Sequence, residues 1–480
     1  MKQLASVLII SLLFLSAISV TLAASYSNVT VFEAKSMIDS DPSLVILDVR
    51  TQSEYDSGHI RNAKLIPSTE LEGRLNELNK TDKILVYCGS GTRSATASQI
   101  LADNGFLYIY NMLWGLTYWK LQGYPVYVKY SSIQQAINGA SEGQSLYVSS
   151  GTYLEHVVVN KALSLIGEDR NSVVIDGSGS GTVVSIENDN VRITGLTIRN
   201  SGSLNTGIRM SGLSNCSILN NDILNNFFGI VSYSCSNTII SVNNIENGYY
   251  GIELHLSNHN RISGNRIMST EWAIISSNSS SNSIYENYEA TNLWGISFSY
   301  SMNNLVYKNN FSENTAEAIQ LGRSSNNSIY ENNFEKNEVA IWLSESGNNT
   351  FCHNNLMNNT RQFDFLVASF SNAWNNTCEG NYWSDYTGSD SNHDGIGDTS
   401  YIVGSNNTDY YPLMNPYWIP ADVNHDLKVD ILDVVKITGC YATTPSDPDY
   451  NPHADIAAPY GKIDILDVVL STGHYAEKYP

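Results

Sequence analysis

Hydrophobic and polar positions change rhythm twice along this chain. After Met1, Lys2 and Gln3, an apolar run over residues 4–22 ends at Ala23, Ala24 and Ser25. That layout reads as a secretory signal, with an uncleaved anchor as the alternative, because about 20 apolar residues span a bilayer. From 26 to 128, short apolar runs alternate with helical patterning. Residues 44–47 read as a buried strand ending at Asp48, and residues 84–87 as another ending at Cys88. Helical spacing over 30–38 and 95–104 separates such runs, which predicts an α/β unit with a parallel sheet.

From about residue 130 the pattern becomes periodic. Gly207, Gly229, Gly251, Ala273, Gly295, Ala318 and Ala340 open successive coils, at steps of 22, 22, 22, 22, 23 and 22 residues. Eleven residues into each coil lies an apolar residue: Ile218, Ile240, Ile262, Ile284, Val306, Ile329, Phe351. Fourteen residues in lies an asparagine every time: Asn221, Asn243, Asn265, Asn287, Asn309, Asn332, Asn354. In a parallel solenoid, equivalent residues stack about 4.8 Å apart, so identical amides can bond up a column. Such coils bury too little singly and share one core when stacked. Phe228, Tyr250, Trp272 and Trp294 share parity with the inward isoleucines and are expected in the core. Tyr285, Tyr307 and Tyr330 point outward by the same rule. They could form a stacking platform for sugar rings or a ladder that only supports the sheet.

Composition adds the charge. The 480 residues hold 26 Lys+Arg against 47 Asp+Glu, a formal net charge of −21, which argues against a nucleic-acid partner. Residues 130–417 carry −15 and 418–480 carry −6, while 25–129 are almost balanced. Three compositions indicate a modular chain. Ten Asn-x-Ser/Thr sequons fit an exported glycoprotein, although an Asn- and Ser-rich chain generates them by chance. Of the six cysteines, Cys216 and Cys235 fall out of register in adjacent coils, which is poor geometry for a bridge. Cys352 and Cys378 leave a bridge between coils open, and Cys440 has no assignment.

The sharpest chemical signal is Cys88-Gly89-Ser90-Gly91-Thr92-Arg93-Ser94. A cysteine at the carboxyl end of a parallel strand, on a loop opening a helix, meets converging backbone N–H groups and the helix dipole. These favour the thiolate. Glycines let the loop curl, and Arg93 offers a fork for an anion. With Leu47-Asp48-Val49-Arg50 and Glu54-Tyr55-Asp56-Ser57-Gly58-His59-Ile60, this segment resembles a single-domain rhodanese. The resemblance implies sulfane-sulfur transfer through a Cys88 persulfide, with a donor such as thiosulfate and no organic cofactor. It makes Arg93 the anion-binding residue, with Asp48 and Arg50 as supports behind the loop. Four residues separate Cys88 from Arg93, one fewer than in cysteine phosphatases, so the cradle suits sulfur rather than a phosphoryl group. A loop that binds or senses redox state without turnover is the blander alternative.

The periodic region resembles a right-handed parallel β-helix of the NosD and pectin-lyase-like kind. The stretch from Ile133 to Gly167 and Gly380-Asn381-Tyr382-Trp383-Ser384-Asp385-Tyr386 contribute to that likeness. Polysaccharide binding and metalloenzyme assembly are the functions that this likeness implies. Catalysis does not carry over, because the seven coils contain Asp222 alone as an aspartate. His255 and His259 share one coil, but no neighbouring coil matches them, and copper needs convergent His, Met or Cys.

Two segments look built for calcium. Asp390, Asn392, Asp394 and Asp398 place oxygens at alternate positions around Gly395 and Gly397, without a distal glutamate. Asp422, Asn424, Asp426, Asp430 and Asp433 set oxygens at loop positions 1, 3, 5, 9 and 12, and a weaker copy follows at 461–469. That duplication resembles a dockerin, a small α-helical pair of EF-hand-type loops, which implies structural calcium and a cohesin-like partner. The expected organisation is therefore a signal at 1–24, an α/β rhodanese-like domain at 26–128, an all-β parallel helix of 22-residue coils at 130–417 and a dockerin-like module at 418–480. The leading expectation is a secreted sulfurtransferase. Its alternative is an extracellular glycan-binding, scaffold or metalloenzyme-assembly protein whose rhodanese domain does not turn over.

Overall fold

The computed structural model describes residues 25–365, 370–392, 394–404, 406–417 and the single positions 435, 437 and 438. The expected signal segment 1–24, Asp422, Asn424, Asp426, Asp430 and Asp433 of the expected dockerin-like pair, His393 and Cys440 lie outside the described residues. The described chain divides into two compact units. One holds residues up to 136 with 145–151 and 165–173; the other holds 137–144, 152–164 and 174 onward.

In the first unit, five parallel strands stand in the order β1-β5-β4-β2-β3. They are β1 (Ser27–Val29), β2 (Val45–Asp48), β3 (Lys64–Leu65), β4 (Lys83–Tyr87) and β5 (Tyr108–Met112). Ile46, Leu47, Ile84, Leu85 and Val86 are buried because both sheet faces are covered. Ile46, Leu85 and Tyr87 pack with Val31, Ala34, Leu116 and Trp119 on one face. Leu47, Ile84 and Val86 pack with Leu71, Ala97 and Leu101 on the other. Capping boxes start two helices: Thr30 with Glu33 opens Val31–Ser40, and Thr51 with Glu54 opens Gln52–Asp56. The chain leaves β2 toward β3 and leaves β4 toward β5, so strand order reverses between β2 and β4. Their carboxyl ends flank a topological switch point, where α/β sheets place ligands.

In the second unit each coil supplies three short strands, and equivalent strands of successive coils pair in parallel. The expected inward column is present in register: Ile218, Ile240, Ile262, Ile284, Val306, Ile329 and Phe351 pair in sequence and are fully buried. The asparagine column forms a hydrogen-bonded ladder. Asn265 Nδ2 and its backbone N–H both donate to Asn287 Oδ1 at 3.0 Å, and Asn287 repeats this toward Asn309. The second amide hydrogen goes sideways, from Asn287 Nδ2 to the Ile262 carbonyl at 3.0 Å. The ladder ends at a carboxylate: Asn381 N–H and Trp383 Nε1 donate to Asp409 Oδ2 at 2.7 and 2.9 Å.

Two further asparagine ladders run alongside, through Asn260, Asn282, Asn304, Asn327 and Asn349, and through Asn292, Asn314 and Asn337. Ser257, Ser279, Ser301, Ser324 and Ser346 form a hydroxyl column, and Cys235 N–H donates to its first member. Cys216 and Cys235 thus stand in ladder positions, buried and unbridged. Cys352 and Cys378 are also free thiols, so the bridge left open between them is not made.

One core expectation fails. Phe228, Tyr250, Trp272 and Trp294 are only half-buried and stack along the outside, with Phe228 and Tyr250 centroids 5.0 Å apart and Trp272 and Trp294 4.0 Å apart. The alternation slips at the small residue beside them, where Gly229 and Ile230 are both buried. A second irregularity is Glu289. It occupies the column of Ile267 and Phe311, fully buried, and neither carboxyl oxygen has a hydrogen-bond partner.

Two stability outcomes follow. Asn287→Ala strips four side-chain hydrogen bonds and strands buried donors on Asn265, which should cost about 3 kcal/mol or more. A clear fall in the thermal midpoint is expected, and an unchanged midpoint would remove the ladder as the anchor of register. Burial holds the Glu289 carboxyl well above its ordinary value. The folded state therefore keeps a proton that the unfolded chain releases, and stability falls as pH rises above the normal carboxylate range. Glu289→Leu should raise the melting temperature more at pH 8 than at pH 4.5; equal gains at both would contradict a buried neutral acid.

Candidate active site

Cys88 follows β4 directly, and the loop after it wraps back over its own sulfur. The Gly91 N–H donates to Cys88 Sγ at 3.2 Å, and Gly91 itself sits at φ 100°, where a side chain would be strained. The helix Thr92–Asp103 starts there, three residues before the helical spacing read over 95–104. A second glycine holds the loop from below: a Cβ on Gly115 would overlap the Cys88 carbonyl oxygen and lie 2.7 Å from that of Gly89. Those two carbonyls instead accept from Leu116 N–H at 2.8 Å and Thr117 N–H at 3.0 Å.

The thiol is 1% exposed. Burial pushes its pKa up, but the backbone and hydroxyl of Ser94 and the N–H groups of Gly91 and Ser90 outweigh it. The net position is below that of an ordinary thiol. Ser94 Oγ also lies 3.1 Å from the Gly91 carbonyl oxygen, which places the hydroxyl under the loop.

Behind the loop, Asp48 and Arg50 form a buried pair. Arg50 Nε donates to Asp48 Oδ1 at 2.9 Å and Nη2 to Oδ2 at 2.6 Å, while Nη2 also reaches the Gly58 carbonyl at 2.9 Å. Arg93 shows what sequence alone did not. Its Nη1 and Nη2 donate to Glu54 Oε2 and Oε1 at 2.8 and 2.6 Å, so the cation of the loop meets an anion of its own chain. Arg93 holds the Glu54 carboxyl down at about 2, and Thr51 donates to the same carboxylate. Glu54 opens the motif that ends at Ile60, yet nothing in its spacing announced this partner. His59 is also fully buried, stacked on Tyr55 at 3.6 Å, with Nε2 3.1 Å from Glu168 Oε1. Glu168, 109 residues away, was invisible to motif reading.

Beside the loop opens a cavity of about 440 Å³, lined by Ser90, Trp114, Thr117, Tyr118 and Leu121. Trp114 carries φ 60°, a left-handed backbone that is unusual for a bulky residue.

The remaining expected sites look different. Tyr285, Tyr307 and Tyr330 stack on one another at 4.9 and 5.1 Å with nearly parallel rings, so both faces of Tyr307 are covered. In the 390–398 loop the carboxylates accept backbone N–H groups: Asp390 from Gly395 at 3.0 Å, Asp394 from Ile396 at 2.9 Å, Asp398 from Ser391 at 2.8 Å. Asn392 donates to Asp394 at 3.0 Å. Among the described residues, no three His, Cys, Asp or Glu side chains converge as a metal site. His255 pairs instead with Glu253 at 3.4 Å, and His353 with Glu379 at 2.7 Å.

Comparison with known proteins agrees with this division. A rhodanese-like domain model matches residues 30–122. The putative sulfur carrier protein YrkF of Bacillus subtilis is 40% identical over 97 residues, 20% of this chain and 52% of that protein. The uncharacterized protein YqhL of the same organism is 38% identical over 74 residues, 15% of this chain and 59% of that protein. The chain thus spans little more than half the length of either relative. Thiosulfate sulfurtransferase GlpE of Coxiella burnetii is 32% identical over 95 residues, 20% of this chain and 88% of that protein. A solved rhodanese-related protein from Thermoplasma volcanium is 32% identical, covering 22% of this chain and 100% of its own, with a TM-score of 0.20. The model for the periplasmic copper-binding protein NosD matches residues 115–318 and 291–388. Those matches span more than half of the chain, which therefore belongs to the NosD family and carries a rhodanese-like domain ahead of its solenoid.

Proposed function

We propose that the first unit is a sulfane-sulfur transferase that carries sulfur as a Cys88 persulfide, and that the chain acts outside the cytoplasm. The observation that supports it best is the thiol at the carboxyl end of β4. Loop donors favour its ionised form despite burial. Cys88 thiolate attacks the sulfane sulfur of a donor such as thiosulfate. A new S–S bond forms at Sγ, and the old S–S bond breaks with its electron pair leaving on sulfite. A thiophilic acceptor then attacks the outer sulfur, and the bonding pair returns to Cys88. The loop amides stabilise negative charge on sulfur before and after each step.

Export rests on the signal-like layout of residues 1–24 and on a family described as periplasmic. The family also implies copper. Among the described residues no three His, Cys, Asp or Glu side chains come together to hold it, so we route no step through it.

Exposure of the full chain to thiosulfate should add one sulfur atom to the peptide containing Cys88 by mass spectrometry, and Cys88→Ser should abolish this. Loading should rise with pH through the thiol midpoint, since the thiolate is the nucleophile. Ser94→Ala removes a donor to the thiolate, so the midpoint moves up. Loading below the midpoint then slows by about tenfold for every pH unit the midpoint climbs. An alkaline midpoint in the unaltered chain, with no sulfur gained from any donor, would end this reading.

A further inference from the structure

The cavity beside the Cys88 loop has a chemistry that the loop alone does not explain. Its walls are mainly the apolar surfaces of Trp114, Tyr118 and Leu121, with Ser90 and Thr117 at the edge. Trp114 is 54% exposed and Leu121 75%, and Phe32, also exposed, meets the Tyr118 ring edge-on at 6.4 Å. Soluble surfaces rarely gather several large apolar side chains around one opening without a ligand for them. Trp114 also holds a left-handed backbone, a strain that tends to persist where function needs the side chain in place. Its ring leans on Tyr118, with centroids 5.3 Å apart, so the indole forms one wall.

Charge points the same way. None of the described residues lining the cavity is cationic. The one cation on the loop, Arg93, is matched by both oxygens of Glu54, which stays ionised at any working pH. A dianion such as thiosulfate therefore has little uncompensated charge to meet at the loop. A donor with a single sulfane sulfur on a neutral apolar carrier has neither handicap. The cavity volume suits a small molecule rather than a protein segment.

Resting on the sulfur-transfer reading above, we infer that the preferred donor is a low-molecular-weight organic persulfide, R–S–SH, whose apolar or aromatic R group lies against Trp114, Tyr118 and Leu121. Cys88 thiolate attacks the terminal sulfur, forming the Cys88 persulfide. The R–S to S bond breaks and its electron pair leaves as R–S⁻, which takes a proton from water. No oxidant is consumed. Trp114 and Leu121 then set specificity, and Glu54 suppresses the inorganic donor by neutralising Arg93.

The test uses the full chain and three donors: 2-phenylethyl persulfide, cysteine persulfide and thiosulfate. Sulfur on Cys88 is read by mass spectrometry and kcat/KM by stopped-flow loading. The unaltered protein should favour 2-phenylethyl persulfide over both others by on the order of tenfold, the scale of burying part of an aromatic side group. Trp114→Gly, which suits the left-handed backbone, and Leu121→Ser should each remove most of that preference through KM, with cysteine persulfide little changed. Glu54→Gln should raise thiosulfate kcat/KM by a similar factor. Equal use of the two persulfides, or a preference that survives both substitutions, overturns the inference while leaving sulfur transfer intact. Loading of Cys88 by none of the three donors overturns both.

Discussion

The hydrogen-bonding capacity of one primary amide governs the larger unit. A parallel stack of short coils has an obvious weakness, since its turns leave backbone groups that no strand partner can reach. Asparagine resolves this because its side chain offers two donors and an acceptor in one plane. In this solenoid Oδ1 takes both the N–H and the Nδ2–H of the preceding coil, and the remaining Nδ2–H satisfies a carbonyl on a neighbouring turn. Every capacity of the group is used, in a buried place where an unused one costs dearly. Hence neither Asp nor Gln can stand in: one lacks the donors, the other is a methylene too long. The exception at the last step, Asp409, is consistent, because a terminal acceptor has no further coil to serve.

The same accounting explains the reactive loop. Sinking a thiol to 1% exposure opposes its ionisation, so an ionised sulfur requires donors aimed at it. Gly91 and Ser94 supply them because the helix begins at Thr92, leaving its first amides without carbonyl partners. Gly115 makes the arrangement tight by letting one backbone lie directly against another. The loop is therefore stabilised by what it lacks, namely Cβ atoms at two positions.

Legibility in the sequence tracked the repetition of residue identity. The column Ile218 to Phe351 and the column Asn221 to Asn354 were readable because the same type recurs at a fixed offset. The left-handed turn one residue before each ladder asparagine was not. Asn220, Val242, Gly264, Glu286, Lys308, Glu331 and His353 share φ values from 54° to 61°, yet share no chemistry that a pattern could catch. The second asparagine column was hidden because it begins as Cys216 and Thr238 before becoming Asn260. In the α/β unit, Cys88, Asp48 and Arg50 were legible as a motif. The pairings of Arg93 with Glu54 and of His59 with Glu168 were not, because contacts between distant positions leave no mark on spacing.

These two kinds of order also suggest why the chemistry sits where it does. A solenoid gains stability by making successive coils alike, and likeness works against a reactive centre, which needs several different groups at one point. Its polar interior is already spent on ladders, and its outer rings on one another: both faces of Tyr307 are covered. The α/β unit works by convergence. The ends of β2 and β4, the start of one helix and the turn before another bring Arg50, Cys88, Ser94 and Trp114 near one switch point, from stretches that share no repeat. Variation at any of these positions changes the site without changing the sheet, and none of them is multiplied along the chain. Convergence of unlike residues is therefore what sets the Cys88 loop of the first unit apart from the repeated columns of the second.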